Sequence, residues 1–211
     1  GLSYKKVNAA ALFAEQQLYL RDNLSLTLGA RADHHDDYGT HVSPRAYVVY
    51  HPAASWTVRG GYSEGFRAPS LRESNPNFVS VSRGAGCADG YQGGGCNTRG
   101  NADLKPERTQ SWELGTSWAQ DARQAGLTFF HTDFKDKIHT RGLGYLNGST
   151  FWQAYYNVAE AVTRGLEASV VLPLVDGPGR PGVQALTWRA SATRMLKAEN
   201  KATVEPLTAV P

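Results

Sequence analysis

LSLTLGARAD, residues 24–33, alternates without a break. Leu24, Leu26, Leu28, Ala30 and Ala32 fall on one side; Ser25, Thr27, Gly29, Arg31 and Asp33 fall on the other. A period of two places successive side chains on opposite faces of an extended chain, so the stretch predicts a strand with one apolar and one polar face. The same pattern recurs on both sides. Residues 55–65 set Trp56, Val58 and Tyr62 against Thr57, Arg59, Gly61 and Ser63. Residues 108–118 set Trp112, Leu114 and Trp118 against Ser111, Glu113, Gly115 and Ser117. Residues 155–172 and 184–197 repeat it, while 9–20, with Phe13 and Tyr19 on one face, 42–50 and 125–136 do so less clearly. No helical period or sequence repeat is evident. The expectation is all-β: about eight antiparallel strands in one meander over residues 9–197.

The connections have a rhythm. Short turns at 21–23, 52–54, 119–124 and 173–182 alternate with longer loops at 34–41, 65–107 and 137–154. Membrane barrels of the bacterial outer membrane place short turns on one side and long loops on the other. Tyr19, Tyr50, Trp56, Trp118 and Trp188 all lie beside the short turns, where an interfacial aromatic girdle belongs. A soluble β-sandwich alternates too, but it explains neither the girdle nor the rhythm. Arg31, Arg59, Glu113, Glu167 and Arg189 sit on the polar faces, which suits a wetted lumen or an ion-pair network.

Composition bounds the rest. The chain has 211 residues, 19% of them charged, with a mean hydropathy of −0.43 and a net charge of +3. That charge gives no argument for nucleic acid. No apolar run approaches the roughly 18–20 residues of a membrane helix, which says nothing about a barrel. No signal peptide is read in GLSYKKVNAA, and the chain reads as a piece of a longer protein. No nucleophile–histidine–acid spacing, phosphate loop or metal-ligand pair argues for an enzyme.

The 65–107 loop, GFRAPSLRESNPNFVSVSRGAGCADGYQGGGCNTRGNADLKPE, is rich in Gly, Ser, Asn, Pro and Arg, and its length suggests function. It holds the two cysteines, Cys87 and Cys96, a pairing that favours an oxidising compartment. Their disulfide would close a loop of about ten residues and contribute roughly 2.5–3 kcal/mol. GFRAPSLRE (65–73), NPNF (75–78) and NADLKPERTQSWELG (101–115), in that order, resemble the TonB-dependent outer-membrane receptors. SRGAGC (82–87) with its second cysteine is most similar to the ferric enterobactin receptor subfamily. FFHTDFKDKI (129–138), AVTRGLEASVVLPL (161–174) and MLKAENK (195–201) extend the resemblance over nearly the whole chain.

The resemblance implies part of a transmembrane β-barrel of about twenty-two strands, in a Gram-negative outer membrane, with residues 1–211 forming a partial barrel domain. Plug domain, signal peptide and C-terminal strands would lie outside the sequence. The implied function is uptake of a ferric catecholate siderophore, energised by TonB through the plug. The ferric complex would be transported ligand rather than cofactor, and the other expected partner is membrane lipid. A small eight-stranded structural or adhesion barrel is the alternative; an outer-membrane hydrolase is disfavoured by the missing catalytic constellation. A ferric tris-catecholate is anionic and aromatic, so arginines and aromatic rings in the long loops are the candidate ligand residues. Residues 67–100 carry Arg67, Arg72, Arg83 and Arg99 against Glu73 and Asp89, and residues 137–155 carry Lys137 and Arg141 with no acid. The candidates are Arg83 first, for its place beside the cysteines, then Arg72, Arg99, Arg141, Tyr91, Tyr145 and Trp152. His34, His35, Asp36, Asp37 and His41 fit no defined metal spacing and read as a solvated hairpin loop.

Overall fold

The computed structural model describes residues 5–84, 86–146, 150–180 and 183–200. Eight long strands form the wall: β1 (Ala9–Arg21), β2 (Leu24–His35), β3 (Gly39–Ala53), β4 (Trp56–Arg67), β7 (Glu107–Gln120), β8 (Arg123–Leu146), β9 (Thr150–Arg180) and β10 (Val183–Asn200). Between β4 and β7 the chain makes a helical turn, α1 (Leu71–Ser74), and a short hairpin, β5 (Val79–Ser82) and β6 (Cys96–Arg99). The wall strands pair antiparallel in chain order, as the alternation predicts. Among the described residues β1 and β10 do not pair with each other, so the sheet is open. That removes the small closed barrel as a description of this chain.

The register sorts every wall residue. Leu26, Val48, Gly60, Leu114, Phe129 and Leu166 form one continuous cross-strand row. The adjacent row on the other face runs Val49, Arg59, Gly115, Thr128, Glu167 and Thr193. The first face is apolar and suits lipid. The second is polar and carries the ion pairs: Arg59 Nε donates to Glu113 at 3.3 Å and Arg59 Nη2 to Thr128 at 2.9 Å. Gly115 stands opposite Arg59, and a Cβ there would meet the Arg59 side chain at 3.0 Å. The missing side chain lets the guanidinium cross β7 to β8.

Four of the five girdle aromatics lie on the apolar face at the short-turn end: Tyr50 in the Val58 row, Trp56 opposite Trp118, and Trp188 opposite Leu172. Tyr19 does not. It opposes Ser25 on the polar face, because the apolar positions of β1 are Leu12, Ala14 and Leu18, of opposite parity. At the other end Tyr62 and Trp112 pack with ring centroids 4.3 Å apart and planes tilted by 42°. Beyond them the apolar face turns polar, with Glu64, Gln110 and Asp133 in one row.

Two sequence expectations need correction. Residues 137–154 are not an irregular loop. β8 and β9 pair from Gln124–Val171 up to Leu146–Thr150, making an arm that rises past the apolar band. A bulge between Gly142 and Gly144, the latter at φ 92°, breaks the alternation that would have revealed it. Residues 147–149 and 181–182 lie outside the described residues. The all-antiparallel meander also fails at one place: β6 runs parallel to β9, from Cys96–Phe151 to Arg99–Ala154. The loop thus crosses the arm and adds β6 and β5 to its free edge.

Candidate functional site

The root of the 65–107 loop is built around Arg67. Its guanidinium donates to Glu73 at 3.0 Å and to Glu107 at 2.5 Å. Glu107 in turn accepts the backbone N–H of Ile138 at 2.6 Å. One side chain therefore ties the end of β4, the helical turn, the start of β7 and the arm together. Pro69 holds the chain extended before the turn, and Ser70 caps it. The Ser70 hydroxyl accepts the Glu73 N–H at 3.3 Å, and the Glu73 carboxylate accepts the Ser70 N–H at 2.8 Å. Burial pushes the Glu73 carboxyl up, but the hydrogen bonds from Arg67 and Ser70 outweigh it and hold the group below its ordinary range.

The loop's return is fixed by two asparagines. Asn101 Nδ2 donates to the Tyr155 carbonyl at 3.0 Å. Asn157 accepts the Lys105 N–H at 2.8 Å and donates to the Lys105 and Asp136 carbonyls at 2.9 and 2.6 Å. Leu104 beside them is 3% exposed. Gly100 allows the closest approach: a Cβ there would lie 2.1 Å from the Asn75 carbonyl oxygen.

Above this root the two cysteines are bonded, Cys87 to Cys96, with Cα atoms 6.0 Å apart. The disulfide loop packs on the side of the arm that carries Phe151 and Gln153. Phe151 is 2% exposed and receives the edges of Tyr91 and Tyr145, at centroid distances of 5.9 and 5.3 Å. Gln153, also 2% exposed, accepts the Ala88 N–H at 2.5 Å and donates to the Gly86 carbonyl at 3.1 Å and the Thr98 hydroxyl at 2.7 Å. Along the unbroken β9 register, Phe151 and Gln153 share the parity of Glu167, the polar wall face. The module is therefore folded over the lumen side of the arm.

The candidate residues divide between two faces. Tyr91 and Tyr145 belong to the packing. The Tyr91 hydroxyl accepts the Gly95 N–H at 3.0 Å; the Tyr145 hydroxyl accepts the Gln92 N–H at 2.7 Å and donates to the Gly93 carbonyl at 3.2 Å. Arg72 donates to Ser80 at 2.9 Å, and Ser80 lies opposite Thr98 on the module side. Arg83 is exposed at the hairpin tip beside the disulfide loop. Arg99 and Arg141 both lie opposite Ala154, and Trp152 is two positions along β9, so these three share the other face. The structure thus brings together Arg99, Arg141 and Trp152, and separately Arg72 with the disulfide module; it does not gather all seven. Of the residues that position the module, Arg67 was counted among the loop cations but not singled out, and Gln153, Asn101 and Asn157 were not candidates. The S-x-x-E spacing of Ser70–Glu73 is a local signal from which the capped turn could have been found.

The histidine-containing hairpin is occupied with local bonds. His34 meets the Thr40 hydroxyl at 2.9 Å, Asp36 accepts from Asn8, and Asp37 pairs with Lys5 at 2.8 Å.

Comparison with known proteins agrees with this architecture. Residues 2–211 match the family described as TonB dependent receptor-like, beta-barrel. The ferrienterobactin receptor of Escherichia coli K12 is 34% identical over 214 residues, covering 99% of this chain. The chain spans 27% of that relative's length. The solved structure of the siderophore receptor PirA from Pseudomonas aeruginosa superposes with a TM-score of 0.80 at 33% identity, over 91% of this chain and 35% of that one. A ferric enterobactin receptor of Pseudomonas aeruginosa, solved in complex with enterobactin, gives 0.73 at 33% identity, over 95% of this chain and 28% of that one. With its lipid-facing strands, aromatic girdle and loop module, the chain belongs to the TonB-dependent receptor β-barrel family of the Gram-negative outer membrane.

Proposed function

We propose that this chain supplies part of the wall and of the ligand-capturing rim of a receptor that imports a ferric catecholate siderophore. The observation that carries the reading is the disulfide-closed module, pinned over the lumen side of the arm with Arg72 and Arg83 on it. A rim held still loses little ordering entropy when it binds. Arginines draw in a trianionic complex and can stack on its catechol rings. Iron arrives already coordinated, so the chain contributes charge and shape, with no protein ligand to the metal. In this reading, passage through the barrel is energised by TonB, as is general for the family. The proteins similar to it are transport receptors, and transport rather than catalysis is the activity assigned.

The test is a titration of the intact receptor, followed by tryptophan fluorescence, with ferric enterobactin and with a neutral ferric hydroxamate. The catecholate complex is expected to bind at least about tenfold more tightly, because only it satisfies the cationic rim. Equal affinity for both would reject the catecholate assignment.

A further inference from the structure

We infer that the 34–41 hairpin braces the root of the 65–107 loop across a split in the wall, with His41 and Tyr38 as positioning residues for ligand capture; the ligand is that of the proposed function, on which this role rests. β2 and β3 pair all the way up to His35–Gly39, and β4 and β7 up to Arg67–Glu107. Between them the β3–β4 ladder stops lower, at Arg45–Ser63. The next residue of β3 is Pro44, which has no N–H to give a ladder. A cavity of about 430 Å³ opens there, and its lining includes His41, Val42 and Ser43 of β3 and Glu64, Gly65 and Phe66 of β4. A continued register would place Phe66 opposite Val42, with His41 on the other face. Instead the His41 and Phe66 rings stack, with centroids 4.2 Å apart and planes 20° from parallel. The two strands part at the backbone, and a ring pair joins them.

The hairpin is itself tied down. Asp36 accepts the Asn8 N–H at 2.8 Å, Asp37 pairs with Lys5 at 2.8 Å, and the Tyr38 N–H donates to the His35 carbonyl at 3.1 Å. His41 is fixed in turn, since its Nε2–H donates to the Tyr38 carbonyl at 3.2 Å. Tyr38 makes a second tie to the loop. Burial pushes its hydroxyl above its ordinary range, and a side-chain hydrogen bond with Ser74 opposes that shift. Ser74 is 6% exposed and ends α1. From α1 the hold passes to the rim. Arg72 donates to Ser80 of β5 at 2.9 Å, and the Glu73 carbonyl accepts the Asn101 N–H at 2.7 Å. Phe66 adjoins Arg67, the centre of the root, and β5 leads directly into Arg83. Side chains of a binding site keep their places only when the residues behind them are themselves held. The hairpin supplies that support where the β3–β4 ladder does not.

The experiment uses the intact receptor as wild type, His41→Ala, His41→Phe and Tyr38→Phe, with the heat-modifiable gel shift to show that each barrel is folded. Without ligand, hydrogen exchange over residues 66–82 is expected to rise about fivefold in His41→Ala, while residues 24–33 stay unchanged. His41→Phe keeps the ring and should restore the wild-type rate. Tyr38→Phe removes only the hydroxyl and should give a smaller rise, about threefold. Ferric enterobactin is expected to bind His41→Ala about fivefold more weakly than wild type, and to bind His41→Phe as it binds wild type. In an Arg83→Ala background the His41→Ala change should cost nothing further, because it acts through the rim. Unchanged exchange in His41→Ala would overturn the brace, and unchanged exchange in Tyr38→Phe would strike Tyr38 from it. Raised exchange with unaltered binding, or a full additional loss in the Arg83→Ala background, would overturn the positioning role. Failure of wild type to bind ferric enterobactin would reject the proposed function instead, and the exchange result would still decide the brace.

Discussion

The wall and the module above it are held together in different ways. Wall side chains such as Leu114 and Trp112 are more than half exposed in the isolated sheet, because their partners are lipid and water. Cys96, Leu104, Phe151 and Gln153 are almost fully enclosed, in the loop module. The wall is specified by parity: any apolar residue of suitable size serves on one face and any polar residue on the other. The module is specified by individual bonds, many from one side chain to the backbone of a distant segment. A scaffold that tolerates substitution carries a rim that does not, and the rim is where the proposed function places ligand recognition.

The sharpest way to break this contrast is to put a charge on each wall face. Leu114→Arg, in the middle of the apolar band, should cost about 2–4 kcal/mol. Ser63→Arg, on the polar face opposite Ser111, should cost less than about 1 kcal/mol. Folded fraction in urea, read by the heat-modifiable shift on gels, checks both. Equal costs would mean that the two faces are misassigned.

In the module, Gln153→Ala removes three hydrogen bonds at once and strands the Ala88 N–H. A local loss of about 2–3 kcal/mol is expected. Hydrogen exchange should rise across residues 79–99 and stay unchanged in β2, β3 and β4. Reduction of Cys87–Cys96 should loosen the same segment, by roughly 2.5–3 kcal/mol in the chain-entropy model. A spread of either effect into the wall would show that module and wall are one cooperative unit.

A smaller effect concerns pH. The Glu73 carboxyl titrates below its ordinary value of 4.5 in the folded loop. A depressed pKa adds stability that is complete above the unfolded value and is lost as pH falls through the lower folded value. Protection of residues 71–75 should therefore be constant from neutral pH to about 5 and decline below about 4.5. Glu73→Gln should flatten that decline. An unchanged pH profile in the variant would remove Glu73 from the loop root.

This division also explains what could be read from the sequence. The wall strands, their faces and four girdle aromatics were legible because lipid on one side and water on the other impose a period of two. Tyr19 misled because β1 carries aromatic or aliphatic residues on both faces. The arm was missed because Gly142 and Gly144 interrupt its alternation and no lipid selects its faces. Nothing local to Gln153 or Asn157 announces a partner some 50 or more positions away, since a long-range side-chain-to-backbone bond leaves no periodic trace. Tyr91 and Tyr145 were chosen for their rings, and composition gave no sign that their hydroxyls are bound to the loop backbone.

The central claim is that the held cationic rim captures an anionic ferric siderophore, and Arg83 tests it most directly. Equilibrium binding of ferric enterobactin to the intact receptor would be measured for wild type and Arg83→Ala at low and at physiological ionic strength. The variant should bind more weakly by about 1–3 kcal/mol and depend less on salt, since exposed charges are screened over about 8–10 Å. Identical affinities of wild type and variant at both salt concentrations would contradict the role given to Arg83.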